Sequence, residues 1–192
     1  MVKDKLERWN QAKAVCLSCR DCPLADRRTQ VVFGEGVLTA QVMFVGEGPG
    51  EQEDLQGRPF VGPAGQLLDR MLAAIGLSRE RNAMICNIVK CRPPGNREPT
   101  AEEAARCLPF LRAQVDIVRP RIIVCLGATA VRHIIGPEAR ITRVRGQWLE
   151  RKGFWLTATY HPAALLRDAS RKGQAWSDLQ AICARLVEPG DA

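Results

Sequence analysis

Gln41-Val42-Met43-Phe44-Val45 runs directly into Gly46-Glu47-Gly48-Pro49-Gly50-Glu51-Gln52-Glu53-Asp54, and Gly57-Arg58-Pro59-Phe60-Val61-Gly62 follows. An apolar strand thus opens into a glycine-rich loop carrying four carboxylates. Glycines let backbone approach a ligand closely, whereas carboxylates hold water or offset positive charge. Loops that cradle phosphate have the first property and avoid the second, so this one suits a base, a sugar or a water. A P-loop is excluded because no Gly-Lys-Ser/Thr follows. A dinucleotide fingerprint is excluded because its third glycine falls on Glu51.

Further strand-like runs lie at about 84–89, 121–126 and 154–159, with helical patterns between them. Residues 4–15 read as an amphipathic helix. Leu67, Leu68, Met71, Leu72 and Ile75 form an apolar helical stripe ended by Gly76. Thr100-Ala101-Glu102-Glu103 is a capping box opening a helix that Pro109 is expected to break or restart. A helix over about 128–135 follows the third strand, and Gln174 to Val187 reads as a closing helix. Alternating strands and helices predict an α/β fold with parallel pairing and helices on both faces. The acidic loop, Asn87, Gly127 and Tyr160-His161-Pro162 then stand at the carboxyl ends of four strands, where open α/β sheets bind ligands.

At 192 residues the chain is expected to form one domain, 1–192. The net charge of +7 favours a polyanionic partner, with nucleic acid first. Met1 to Glu7 carries no secretory signal, and the apolar stretch from Ile122 to Val131 is too short to span a bilayer. A cytoplasmic location follows. In that reducing compartment eight cysteines point to metal ligands or buried thiols more than to disulfides. Cys19-x2-Cys22 is half of a metal or cluster site, with Cys16 competing for the first place. Cys86, Cys125 and Cys183 read as core, which leaves Cys91 and Cys107 as the best remaining ligands. Cluster binding and unligated buried thiols both fit this spacing.

Lys90-Cys91-Arg92-Pro93-Pro94-Gly95-Asn96-Arg97 is a stiff basic loop. It is either a solvated turn or a phosphate contact through Lys90, Arg92 and Arg97. Asn87 caps a turn or reads the edge of a nucleobase. His161, with its turn fixed by Pro162, is a site candidate, whereas His133 reads as structural. Leu165-Leu166-Arg167 is an ordinary helix or a wedge entering DNA where a base has left. Phe60 is a stacking platform if exposed and a loop anchor if buried.

In their order and spacing these motifs resemble the family-4 uracil-DNA glycosylases, the iron–sulfur branch of the uracil-DNA glycosylase superfamily. The resemblance rests on Gly46 to Gly50 with Glu53-Asp54, on Gly57 to Gly62, on Asn87-Ile88-Val89-Lys90-Cys91-Arg92-Pro93-Pro94 and on His161-Pro162. It implies a three-layer α/β/α fold with a central four-stranded parallel sheet, and a [4Fe–4S] cluster on Cys19, Cys22, Cys91 and Cys107. It also implies hydrolysis of the N-glycosidic bond of uracil flipped out of DNA, by a monomer. Phe60 would stack on uracil, Asn87 would bind its Watson–Crick edge, and His161 would donate to its O2 oxygen. Backbone groups of Gly46, Glu47 and Gly48 would line the pocket. Glu53 is the first choice for activating water and Glu47 the second. A superfamily branch that bonds covalently to DNA is disfavoured, because no basic insertion separates Asp54 from Gly57. A non-catalytic iron–sulfur DNA-binding module and a zinc-stabilised domain are the remaining alternatives.

Overall fold

The structure is a computed structural model that describes residues 2–187. Met1 and residues 188–192 of the expected domain lie outside the described residues. In chain order the elements are α1 (Val2–Ser18), β1 (Glu35–Gly36), β2 (Val42–Gly46), α2 (Glu51–Gln56), α3 (Pro63–Ala73), β3 (Ala83–Asn87), α4 (Ala101–Val118), β4 (Ile122–Leu126), α5 (Gly127–Ile134), α6 (Ile141–Val144), β5 (Leu149–Arg151), β6 (Phe154–Thr159), α7 (Pro162–Arg167) and α8 (Lys172–Val187).

The sheet has six strands in the order β1-β3-β2-β4-β6-β5. This corrects the expected four. The four anticipated strands, β3, β2, β4 and β6, are indeed parallel, and β1 and β5 add antiparallel edges. Strands β2, β3 and β4 are buried along their whole length, the pattern of a sheet covered on both faces. Alternate residues serve opposite layers. Met43, Val45, Met84, Cys86, Ile123 and Cys125 join Trp9 of α1, Leu111 of α4 and Val131 of α5 in one core. Val42, Phe44, Ile85, Ile122 and Val124 join Leu68 and Leu72 of α3 and Leu179 and Ile182 of α8 in the other. Three layers result. Each fully buried Leu or Val contributes about 1.5–3 kcal/mol, so the sheet ends are held rigidly.

Helix α4 starts as expected. Thr100 Oγ1 accepts from the Glu103 amide at 3.2 Å, and the Thr100 amide donates back to Glu103 Oε2 at 2.8 Å. It does not break at Pro109 but runs through it. Eighteen residues packed on one face outweigh the one hydrogen bond that a proline removes. Cys86 and Cys125 are fully buried in the core, as expected, whereas Cys183 is only half-buried.

Candidate active site

The parallel strands end together at Gly46, Asn87, Leu126 and Thr159. A cleft of about 590 Å³ opens there. It is lined by Glu47, Gly48, Glu53, Phe60, Asn87 and His161, and Arg97 and Arg167 reach its rim. The residues singled out for catalysis and base binding therefore share one cavity, all but Gly46 lining it, although their sequence positions span 47–161.

Beneath its floor Gly46 lies against two of the lining side chains. A Cβ there would stand 2.5 Å from Asn87 Oδ1 and 2.5 Å from Phe60 Cζ, so only hydrogen leaves room. Asn87 is 1% exposed, and its Oδ1 accepts no hydrogen bond among the described residues. A buried carbonyl oxygen left unpaired carries a desolvation cost of about 1–3 kcal/mol. A ligand N–H would relieve it. Phe60 is 6% exposed, so burial alone does not separate platform from anchor: its ring lines the cleft with its centroid 5.4 Å from that of His161.

His161 caps α7, its Nδ1 accepting from the Ala163 amide at 3.1 Å. That bond requires Nδ1 to be unprotonated, which places the neutral ring's proton on Nε2 as a donor. Burial, with Arg167 adding to it against the opposing pull of Glu53, lowers the His161 pKa from 6.5 to about 4. The ring is therefore neutral near pH 7.

The two candidate carboxylates differ sharply. Glu53 Oε1 accepts from the amides of Val61 and Gly62, both at 2.8 Å, and Oε2 accepts from Gly50 at 3.1 Å. It thereby ties the acidic loop to the Phe60 loop. Glu47 accepts one bond, from Thr129 Oγ1 at 2.5 Å. Burial raises its pKa, with the Thr129 bond opposing. Thr129 in turn accepts from Arg132 at 3.4 Å, and Arg132 pairs with Glu98. Asp54 turns away from the cleft and accepts from the amides of Thr29 and Gln30.

The basic loop divides. Lys90 is 1% exposed, so it does not face phosphate: its ammonium donates to the Asn87 carbonyl at 2.9 Å and to Gln114 Oε1 at 2.6 Å. Arg92 donates to Asn96 Oδ1. Arg97 forks onto Glu103 at 2.8 and 2.7 Å. In α7, Leu165 packs with Tyr160 and Ala175 at 2% exposure and cannot enter DNA, whereas Leu166 is 48% exposed. Arg79, Thr129 and Arg132 were not singled out from sequence. Arg79 lay in a charged Ser-Arg-Glu-Arg turn that reads as surface, and the other two sit within an ordinary helical pattern.

Cys16, Cys19, Cys22, Cys91 and Cys107 ring a second, small cavity together with Arg28, Lys90 and Arg106. Three stretches meet there: the end of α1 with the segment that follows it, the loop after β3 and the first half of α4. Arg28 donates to Cys91 Sγ at 3.2 Å, and the Lys90 amide donates to Cys107 Sγ at 3.2 Å. Burial pushes Cys16 up to about 12 and Cys107 up to about 11, so both stay protonated until a metal displaces the proton. Among the described residues, no three Cys, His, Asp or Glu side chains are placed to hold a single metal ion. Converging thiols backed by cationic donors fit a polynuclear thiolate-bound group.

No helix among the described residues is long and apolar enough to cross a membrane. The profile of the Uracil DNA glycosylase superfamily matches residues 33–180. The type-4 uracil-DNA glycosylase of Thermotoga maritima is 52% identical over 158 residues, covering 80% of this chain and 81% of that protein. That of Sulfurisphaera tokodaii is 42% identical over 195 residues, covering 97% and 87%. That of Archaeoglobus fulgidus is 44% identical over 174 residues, covering 86% and 87%. A cleft at the strand ends, a thiol-ringed cavity beside it and matches of this extent lead to one conclusion: the chain belongs to the Uracil DNA glycosylase superfamily, in its type-4 branch.

Proposed function

We propose that the protein is a monofunctional uracil-DNA glycosylase that hydrolyses the N-glycosidic bond of a flipped uracil and leaves an abasic site. The observation that carries this reading is the unpaired Asn87 Oδ1 beside an aromatic ring and a neutral histidine. Uracil offers an N3–H to Oδ1 and its O4 to the amide NH₂, whereas cytosine carries an acceptor at N3 and a donor at C4. Asn87 thus discriminates by polarity, and Phe60 supplies the stacking face.

Breaking the bond leaves negative charge on uracil O2 and positive charge on the sugar. His161 Nε2–H donates to that oxygen, a preorganised contact worth about 10²–10³ in rate. We assign water activation to Glu47 in preference to Glu53. Glu47 is half-buried, burial raises its pKa and it accepts a single hydrogen bond, which leaves it lone pairs for a water, whereas three of the lone pairs of Glu53 are committed to amides. Glu53 holds the loop and places negative charge near the sugar cation.

Cys19, Cys22, Cys91 and Cys107 would hold a [4Fe–4S] cluster, the family's cofactor, with the protein acting in a reducing cytoplasm. Held by these four residues, it would tie the segment just after α1 to α4 and to the loop that supports Asn87. All of the groups invoked come from one chain, so a monomer suffices. Arg167, Leu166 and the basic rim meet the DNA strand.

The test is glycosylase activity of anaerobically purified protein on a uracil-containing oligonucleotide, scored by alkaline cleavage. Strand scission at uracil, and not at cytosine or thymine, is the expected result. DNA binding without scission would instead indicate a non-catalytic DNA-binding module.

A further inference from the structure

Phe60 has a backbone that a phenylalanine rarely adopts, with φ at +53°. Two features hold it there. On one side Gly65 of α3 presses on the Phe60 carbonyl so closely that a Cβ at 65 would lie 1.9 Å from its oxygen. On the other stands Arg79, a guanidinium only 5% exposed that uses its whole fork. It donates to the Pro59 carbonyl at 2.7 Å and the Phe60 carbonyl at 2.9 Å. It is itself aimed by Asp69 Oδ1, at 3.1 and 2.7 Å, and by Glu35 Oε2 at 3.2 Å. Glu35 also grips Arg58, the residue before Pro59, at 2.6 and 3.2 Å.

We propose that Arg79 is a positioning residue for base recognition, which fixes the aromatic platform through the carbonyls of Pro59 and Phe60 without touching the base. This rests on the reading of the cleft as a uracil pocket. Five donors set in a rigid plane are what define the role. A lysine keeps the charge but has no planar fork, and cannot hold two successive carbonyls and two carboxylates at once. Without that grip, the strain at Phe60 is relieved by rotation of its backbone, which carries the ring away from its place over Gly46. Contacts to the DNA backbone lie elsewhere on the rim and are unaffected.

The experiment compares the unsubstituted protein with Arg79→Lys, Phe60→Ala and the double variant. It measures inhibition of glycosylase activity by free uracil, KM and kcat on a uracil oligonucleotide, and the Kd for an abasic-site oligonucleotide. Since base stacking accounts for about five- to a hundredfold in affinity, Arg79→Lys should weaken uracil inhibition by about tenfold and leave the abasic-DNA Kd within about twofold. In the Phe60→Ala background the same change should weaken inhibition by less than about twofold, because the two residues act as one unit. Unchanged uracil inhibition in Arg79→Lys overturns the proposal, as do effects of the two substitutions that multiply. Should Arg79→Lys fail to fold, Asp69→Asn, which loosens the fork from its half-exposed partner, should weaken uracil inhibition by about threefold. No change in that variant overturns the proposal equally. If the unsubstituted protein itself neither cleaves uracil DNA nor responds to uracil, the glycosylase reading has failed, not the role of Arg79.

Discussion

Glu47 in the loop after β2 and Glu53 in the first turn of α2 stand six positions apart, and the structure gives them opposite surroundings. Glu47→Gln should lower kcat by about 10²–10³ and leave the melting temperature unchanged. Glu53→Gln places an NH₂ against backbone amides. It should cost about 1–3 kcal/mol and lower the melting temperature by several degrees. Single-turnover kinetics and calorimetry on both variants check the division, and a thermally neutral, inactive Glu53→Gln would return the base to Glu53. At His161 the folded pKa of about 4 lies below the ordinary 6.5, so between these values the unfolded chain binds more protons. The contribution of this group is therefore fully present above pH 6.5 and is lost as pH falls towards 4, by up to roughly 3 kcal/mol. Urea unfolding at stepped pH should show this slope in the native sequence and a smaller one in His161→Gln.

At the scale of elements, α4 offers a test whose sign is opposite to that of most mutations. Pro109 is exposed within a helix that continues through it, so Pro109→Ala should restore a helical hydrogen bond and stabilise by about 1–3 kcal/mol. Unchanged denaturant midpoints would show that α4 has another compensation there. What was legible in the sequence follows from similar local physics. Strands β2, β3 and β4 were readable because a strand covered on both faces is almost wholly apolar, and β6 because Phe154, Trp155 and Leu156 open it and β-branched threonines continue it. The edge strand β1 is two residues long and leaves no such trace. Strand β5 is exposed along its length, and its only signal was the Lys152-Gly153 hairpin turn, with φ of +53° and +79°. Leu165 and Leu166 are alike in sequence, and only packing against Tyr160 decides which of them faces outward. Arg79 was invisible for a stronger reason: its acceptors include main-chain carbonyls about twenty positions away, which no side-chain pattern encodes.

For the whole molecule, charge and the thiol-ringed cavity govern behaviour. With a net charge of +7, DNA affinity should fall with salt at a log–log slope of about −0.9 per phosphate neutralised. Arg167→Ala should make that slope shallower by about one without changing base preference, as titrations at several salt concentrations would show. Cys91 lies in the segment that runs from Asn87 through Lys90 into the basic loop, so Cys91→Ala should damage solubility and DNA affinity together. A soluble, fully active variant would contradict the bracing role proposed for this corner.

Gly46 sets a limit on how this pocket can be redesigned. Its floor is formed by an atom that is not there, since the Asn87 amide and the Phe60 ring occupy the volume that any side chain at 46 would need. A saturation library at this codon should therefore return glycine alone, whatever base the selection demands. Laboratory evolution towards another nucleobase would have to begin at the walls, by exchanging the Asn87 amide or the Phe60 ring, with the floor left as it is.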